Sequence, residues 1–279
     1  MVPEVSVVIP TFNRAAMVVE AVESVVAQEG LDFELIVVDD GSTDHTEAML
    51  TRFGSTLRYH RQPRCGVSAS RNRGVALSGA PLVAFLDSDD LWLSGKLKVQ
   101  TRFMTEHPEV MISQTEEIWM RNGRRLRPKS RHRKSSGDIF RRSLELCLVS
   151  PSAVMIRREL FDLVGYFDET LPMAEDYDLW LRVAAEYPVY LLLEPMVVKR
   201  GGHPDQLSAT PGIDRYRIMA LEKLLQSGRL SPEQQEWTWA ALRDKCRVYG
   251  TGCLKRGKKE EGRAILTLPE RYRADLESK

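Results

Sequence analysis

The chain has 279 residues, 43% of them hydrophobic, which is enough for one large domain, or one domain with an appendage, and a sizeable core. Its net charge of +1 argues against a dedicated nucleic-acid-binding protein. No apolar stretch approaches the roughly 18 residues that span a bilayer, and no basic region followed by an apolar one begins the chain, so we expect neither a membrane helix nor a secretory signal.

The four cysteines form no CxxC pair and have no zinc-ligand spacing. We therefore expect reduced thiols and a cytoplasmic protein.

Strand and helix patterns alternate through the first ninety residues. Apolar runs predict strands at 5–9, 35–38 and 83–86, and one-sided apolar spacing predicts helices at 14–28, which Asn13 would cap, and at 66–77. Such alternation indicates a mostly parallel sheet covered on both faces. Ligands bind at the carboxyl ends of such strands, so Pro10-Thr11-Phe12, Asp39-Asp40 and Asp87-Ser88-Asp89 are expected to converge on one crevice.

Asp87 and Asp89 follow an apolar strand and point the same way if the chain stays extended. Like charges this close repel unless something offsets them, and a divalent cation such as Mg²⁺ or Mn²⁺ is a suitable offset. For an isolated Asp-x-Asp the alternative is a solvated turn at the strand end. Asp90 is expected to cap the segment that follows it.

Three features mark the rest of the chain. A basic tract at 121–134 contains no acid, and it is either a solvated loop or a surface for anionic lipid headgroups or a phosphate-bearing acceptor. Acids at Glu175, Asp176 and Asp178 suit the first turn of a helix. From about Ile213 the pattern is helical, which predicts a small appendage that dimerises, packs on the core or binds a partner.

Five motifs in order and at matching spacing resemble glycosyltransferase family 2 over about residues 3 to 210. They are Val5–Arg14, Val38–Asp44, Gly66–Asn72, Phe85–Asp90 and Glu175–Arg182. The resemblance implies an α/β fold of the GT-A type, which is Rossmann-like with helices on both faces of a mostly parallel sheet. It implies a glycosyltransferase domain at 1–210, with a nucleotide-binding half at about 1–110 and an acceptor half at about 111–210, followed by a helical region at 211–279.

The resemblance also implies roles for particular residues on the donor side. Phe12 matches a residue that stacks the nucleotide base, although a core aromatic would fit the sequence equally well, and Asp40 matches an acid that hydrogen-bonds the base. The other nucleotide-sugar contacts would come from Pro10, Thr11, Arg14, Asp39, Arg71, Asp87 and Ser88. Asp89 matches a ligand of Mn²⁺ or Mg²⁺. His203 falls where many members carry a histidine near the diphosphate or metal, although a lone histidine is more often structural.

On the acceptor side, Asp176 matches the general base, with Glu175 and Asp178 as competing acids and Trp180 as a further acceptor-side residue. The Gln-x-x-Arg-Trp motif of processive members is absent from this sequence, which favours transfer of a single sugar. The resemblance implies an inverting, metal-dependent enzyme that moves a sugar from a nucleotide-diphosphate donor, such as a UDP-sugar, to a glycan or lipid-linked acceptor.

Two other functions stay open. A nucleotidyltransferase would need a glycine-rich loop after the first strand, and the turn Pro10–Asn13 has no glycine. A nucleotide-binding module without transfer activity would not need the candidate catalytic acids, all of which are present. A dinucleotide-binding dehydrogenase is excluded because no GxGxxG follows the first strand.

Overall fold

The computed structural model describes residues 2–203 and 212–277, with side chains up to residue 273. The first half alternates strands and helices in the order β1 (Val5–Thr11), α1 (Ala15–Val26), β2 (Phe33–Asp39), α2 (Thr46–Leu50), β3 (Arg58–Arg61), α3 (Val67–Leu77) and β4 (Leu82–Phe85). The predicted strands and helices of this half are therefore confirmed to within a few residues.

The middle of the chain adds the remaining strands and four more helices. They are β5 (Leu91–Trp92), α4 (Lys96–Glu106), β6 (Ile112–Arg121), β7 (Arg124–Leu126), α5 (Phe140–Glu145), β8 (Val154–Arg157), α6 (Leu160–Val164), α7 (Glu175–Glu186) and β9 (Tyr190–Gly201). The C-terminal region contains α8 (Ile213–Gln226), α9 (Pro232–Lys255) and α10 (Lys259–Glu277).

One continuous sheet runs in the order β3-β2-β1-β4-β8-β6-β9-β5, and β7 pairs with β6. Strands β1 to β4 are parallel to one another, as the apolar runs predict. The second half of the sheet is mixed, because β8 enters antiparallel between β4 and β6. Strand β9 then lies parallel to β6, with a register shift near Glu116.

The capping prediction for α1 is wrong. Asn13 does not cap the helix but adopts a left-handed conformation with φ of 50°, which an asparagine tolerates better than most residues. Its Oδ1 accepts a hydrogen bond from the backbone N–H of Thr43 at 2.7 Å, and the first N–H of α1, that of Ala15, donates to Asp44 Oδ2 at 3.1 Å. The loops that follow β1 and β2 are thus joined to each other at the carboxyl edge of the sheet.

The C-terminal helices pack on the core. Leu221 of α8 and Leu242 and Cys246 of α9 are buried in the same apolar cluster as Trp180 of α7 and Phe85 of β4. Of the three arrangements left open for this region, packing on the core is therefore the one observed in the chain. Across the described ranges, no helix combines the length and apolar character needed to cross a bilayer.

Candidate active site

A cavity of about 580 Å³ opens at the carboxyl end of β4. Acids from two separate segments line it: Asp87, Asp89 and Asp90 after β4, and Glu175 and Asp176 at the start of α7. Of the three segments predicted to converge on one crevice, only Asp87-Ser88-Asp89 lines this cavity. Basic side chains from other segments lie among them, and the cavity is a site of mixed rather than purely negative charge.

The three acids after β4 lie close enough to share an ion, since one oxygen from each falls within 4.8 Å of the others. Asp89 Oδ2 lies 3.1 Å from Arg14 Nη1 and 2.8 Å from His203 Nε2. The structure therefore brings together three of the residues to which the family resemblance gives a metal or donor role, Asp89, His203 and Arg14.

Asp90 differs from the sequence prediction. Its carboxylate does not cap the following segment but is buried, where it accepts hydrogen bonds from Ser152 Oγ at 2.6 Å and from the backbone N–H of Arg200 at 2.9 Å. Burial, together with the charge of Asp89, raises the pKa of Asp90 to about 8. Crowding of the three carboxyl groups thus favours the protonated form of one of them. Such a set of carboxyl oxygens fits a hard divalent cation.

Arg71 of α3 joins the two acidic segments. Its side chain is almost fully buried, with Nη2 2.7 Å from Asp87 Oδ1 and Nη1 2.6 Å from Glu175 Oε1. Because burial makes an unpaired charge costly, these ion pairs fix the three side chains relative to one another. Arg71 thus holds the start of α7 beside the end of β4.

The turn into α7 directs its acids toward the cavity. Ala174, which precedes the helix, has φ of 60° and ψ of 22°, a left-handed conformation that is uncommon for alanine. Asp176 lines the cavity and forms no ion pair with any described residue, whereas Glu175 is held by Arg71. The Cys147 thiol lies 3.6 Å from Asp176 Oδ2.

Asp178 points elsewhere: its carboxylate binds Arg182 at 2.9 Å and Lys223 of α8 at 2.7 Å. Of the three competing acids, Asp176 is therefore the one that lines the cavity without an ion pair to a described residue.

Trp180 does not belong to this cavity. Its side chain is buried at 2% exposure and packs edge-on against Phe167 at 6.0 Å between ring centroids. The prediction that it lies on the acceptor side is wrong, because its ring is enclosed in the apolar cluster that contains Phe85 and Phe167.

The residues predicted to hold the nucleotide base lie beside the cavity, at the ends of β1 and β2, and do not line it. Asp39 Oδ2 accepts a hydrogen bond from the Tyr59 hydroxyl at 2.6 Å. Asp40 accepts from the backbone N–H groups of Cys65 and Gly66, both at 2.8 Å.

Of the remaining donor-side residues, Pro10 and Thr11 are buried in β1, and the buried Thr11 Oγ1 has no hydrogen-bond partner among the described residues. Ser88 lines the cavity. Phe12 is partly exposed, and the guanidinium of Arg64 lies 3.9 Å from its ring centroid. The Phe12 ring therefore has a planar cation over one face.

Sequence reasoning missed a charged network in the opposite wall. Glu117 of β6 pairs with Lys134 at 3.1 Å, and Lys199 of β9 donates to Ser150 Oγ at 3.1 Å. Burial disfavours the Glu117 carboxylate, but the charges of Lys134 and Lys199 outweigh that and lower the pKa of Glu117 to about 2. Nearby carboxylates, Glu117 first among them, outweigh burial and raise the pKa of Lys199.

The C-terminal region also contributes to the cavity, through Ile213 and Arg217 of α8. Arg217 pairs with Asp214 at 3.1 Å and lies over the ring of Tyr177, 5.9 Å from its centroid. The helical pattern of this region gave no sign that it would reach the site.

Comparisons with known proteins agree with this architecture. A family model described as glycosyl transferase family 2 matches residues 6–165. An uncharacterized glycosyltransferase of Rickettsia felis is 31% identical over 191 residues, which cover 66% of this chain and 30% of that protein. WfgD of Escherichia coli, a UDP-Glc:alpha-D-GlcNAc-diphosphoundecaprenol beta-1,3-glucosyltransferase, is 27% identical over 188 residues, which cover 64% of this chain and 69% of that protein.

Among solved structures, S. aureus TarS 1-349 in complex with UDP-GlcNAc superposes with a TM-score of 0.73 over 95% of this chain and 79% of that chain, at 21% identity. This likeness confirms the α/β fold of the GT-A type. The chain spans only about 30% of the length of the Rickettsia felis relative. Because the family model covers more than half of the chain, the protein is a member of glycosyltransferase family 2.

Proposed function

We propose that the protein is a metal-dependent, inverting glycosyltransferase that moves a single sugar from a nucleotide-diphosphate sugar to a hydroxyl acceptor. The observation that carries this proposal is the meeting of Asp87 and Asp89 with Asp176 in one cavity of a family 2 chain. Donor activation needs charge stabilisation at a diphosphate, and acceptor activation needs a base. The two acidic segments supply candidates for each.

The donor we propose is a UDP-sugar. WfgD is named for a UDP-Glc donor, and TarS was solved with UDP-GlcNAc. In this chain the base would lie at the ends of β1 and β2, on the Phe12 ring and beside Asp40. The guanidinium of Arg64 lies over one face of that ring. Arg14 and Arg71, which line the cavity, would face the diphosphate and the sugar.

Asp89 and His203, with Asp87 near them, would hold Mn²⁺ or Mg²⁺. When bound, such an ion offsets the charge of the departing nucleoside diphosphate as a Lewis acid. Arg14, whose Nη1 is 3.1 Å from Asp89, and Arg71 hold these carboxylates in place.

Asp176 would act as the general base. A single in-line displacement with inversion requires that the acceptor hydroxyl lose its proton as it attacks the anomeric carbon. A placed carboxylate typically contributes about 10²–10⁴-fold to such a step. Asp176 is suited because it faces the cavity with no ion-pair partner among the described residues, whereas Arg71 engages Glu175.

The acceptor we propose is a glycan or lipid-linked sugar of cell-surface polysaccharide or glycolipid synthesis, at the cytoplasmic side of a membrane. WfgD, whose named acceptor is a sugar on diphosphoundecaprenol, supports this class. The acceptor would enter past Met173 and Arg217, which line the cavity near Asp176. Transfer of one sugar is the expected outcome. Residues 204–208, where the processive motif was sought, lie outside the described residues.

The proposal is tested by calorimetric binding of UDP-glucose, UDP-GlcNAc, GDP-mannose and UDP, each with and without Mn²⁺. We expect binding of a uridine nucleotide that Mn²⁺ strengthens at least tenfold, and we expect Asp89→Asn to remove the strengthening. The matched control is Asp32→Asn, which neutralises an exposed acid elsewhere on the surface. If no nucleotide binds, or if both variants respond to Mn²⁺ like the wild type, the proposal fails.

A further inference from the structure

The segment 121–134 forms an exposed basic hairpin, which includes β7 and the turn that follows it. The cationic side chains on its surface are Arg121, Arg124, Arg125, Arg127, Lys129, Arg131 and Arg133. No acidic residue lies between Glu117 and Asp138 in the sequence. A positive surface of this kind on a chain of net charge +1 means that the charge is concentrated rather than evenly spread.

Seven exposed cations lie together in the hairpin without an acidic partner among the described residues. None of the seven forms an ion pair with a residue in the ranges 2–203 and 212–277. Elsewhere Arg52 pairs with Glu23, and Arg102 pairs with Glu106 at 2.8 Å. The seven charges of the basic hairpin are therefore available to an external anion.

The hairpin is held in place from beneath. Lys134, at its end, is buried against Glu117 at 3.1 Å and donates to the backbone carbonyl of Thr115 at 2.9 Å. The Trp119 ring lies 5.3 Å from that of His132 and joins β6 to the returning chain. The unpaired charges are thus presented by a supported segment.

Apolar side chains lie among the cationic side chains of the basic hairpin. Leu126, between Arg125 and Arg127, is 41% exposed. A small hollow of about 370 Å³ lies beside it, bounded by Arg125, Arg127, Pro128, Trp119 and Glu117, whose carboxylate is paired with Lys134. Two guanidinium groups beside an apolar floor suit a phosphate headgroup with its glycerol and upper acyl carbons.

The hairpin also borders the central cavity, which Arg121, Leu126 and His132 help to line. We propose that the basic hairpin docks the protein on an anionic lipid bilayer and so sets the mouth of the cavity at the level of the headgroups. This goes beyond the proposed transfer activity, because docking is a property of the surface and does not depend on donor or metal. A membrane suits the patch better than nucleic acid, since the hairpin exposes a leucine rather than a stacking aromatic.

The test is co-sedimentation of the full chain with vesicles of phosphatidylcholine alone and with 30% phosphatidylglycerol. We expect binding only to the anionic vesicles, weakening steeply between 50 and 300 mM salt. Each basic residue near such a surface strengthens partitioning roughly fivefold. The variant Arg124→Gln/Arg125→Gln/Arg127→Gln/Lys129→Gln should therefore lose roughly 100-fold or more.

The matched control removes the same charge from the C-terminal helices, with Arg243→Gln/Arg247→Gln/Lys255→Gln/Lys259→Gln, all exposed positions. It should retain vesicle binding to within about threefold. Thermal melting checks that both variants fold, and UDP binding should be unchanged in both, which separates docking from the proposed transfer function. The inference is overturned if both variants lose binding equally, if neutral vesicles bind as well, or if single-stranded RNA displaces the vesicles.

Discussion

The ionised carboxylate of Glu117 in the cavity wall stabilises the folded protein, and this contribution depends on pH. Its side chain is 2% exposed and pairs with Lys134, and the surrounding lysines lower its pKa from 4.5 to about 2. As the pH falls, Glu117 takes up a proton in the unfolded chain before it does so in the folded protein. The stabilisation is therefore complete above about pH 4.5 and is lost as the pH falls toward 2. The shift corresponds to about 3 kcal/mol.

We predict that Glu117→Gln flattens the acid limb of the stability curve between pH 4.5 and 2. Urea unfolding of the wild type and the variant at several pH values measures this. The variant should also be less stable near pH 7, since Lys134 would remain buried without its partner. Parallel acid limbs in the two proteins would show that Glu117 is not held ionised in the fold. Glu109→Gln, at a side chain 67% exposed, is the control.

At the scale of elements, the approach of α3 to β1 fixes where Arg71 lies. Gly74 of α3 packs directly on β1, and a Cβ built there would meet Val8 Cγ1 at 2.2 Å and Cγ2 at 2.9 Å. The helix backbone therefore lies closer to the sheet than any side chain would permit. Since Arg71 is one turn earlier on the same helix, this contact sets the height of the guanidinium above the strand ends.

We predict that Gly74→Ala destabilises the protein by about 1–3 kcal/mol, as overpacking does, even though alanine is the better helix former. Adding Val8→Ala, which removes the clashing methyl groups, should make the double variant more stable than the sum of the single effects. Gly252→Ala in α9, whose Cβ would meet only the end of the Arg256 side chain, is the control and should be neutral or stabilising. Additive free energies in the double variant would contradict the account.

Some strands of the sheet could be predicted from local sequence patterns and others could not. The strand ends bearing Asp39-Asp40 and Asp87–Asp89 were predictable because short apolar runs mark buried parallel strands. Strand β9 extends to Gly201 by pairing with β6 across a register shift. That long-range pairing brings Lys199 into the cavity wall, and no local periodicity encodes it.

The candidate site was partly predictable for a related reason. Asp89, Asp176 and Arg71 lie in motifs whose order carries the family resemblance, and all three line the cavity. Cys147 and Arg217 lie in segments without a motif and arrive through tertiary packing. Trp180 was misassigned because an apolar residue after an acidic turn fits both a core helix and an acceptor platform.

At the scale of the whole molecule, the cavity is a joint product of the family 2 domain and the C-terminal helices. Arg217 and Ile213 of α8 line it, and Lys223 of the same helix pairs with Asp178 of α7 at 2.7 Å. Helix α8 thus lines part of the cavity, and α8 and α9 share the apolar core of the preceding domain. Docking of the basic hairpin on a bilayer would also fix the orientation of the cavity relative to the membrane.

The central claim is that Asp176 removes the proton from the acceptor in a cavity that binds the donor independently of it. The most direct measurement is single-turnover release of UDP from bound UDP-sugar, with Mn²⁺ and a GlcNAc-diphosphopolyprenol acceptor, for the wild type and Asp176→Asn. We predict that donor affinity stays within about twofold while the rate falls by about 10²–10⁴-fold, and that Asp162→Asn, at an exposed acid, changes neither. A rate for Asp176→Asn within a few-fold of wild type would contradict the account.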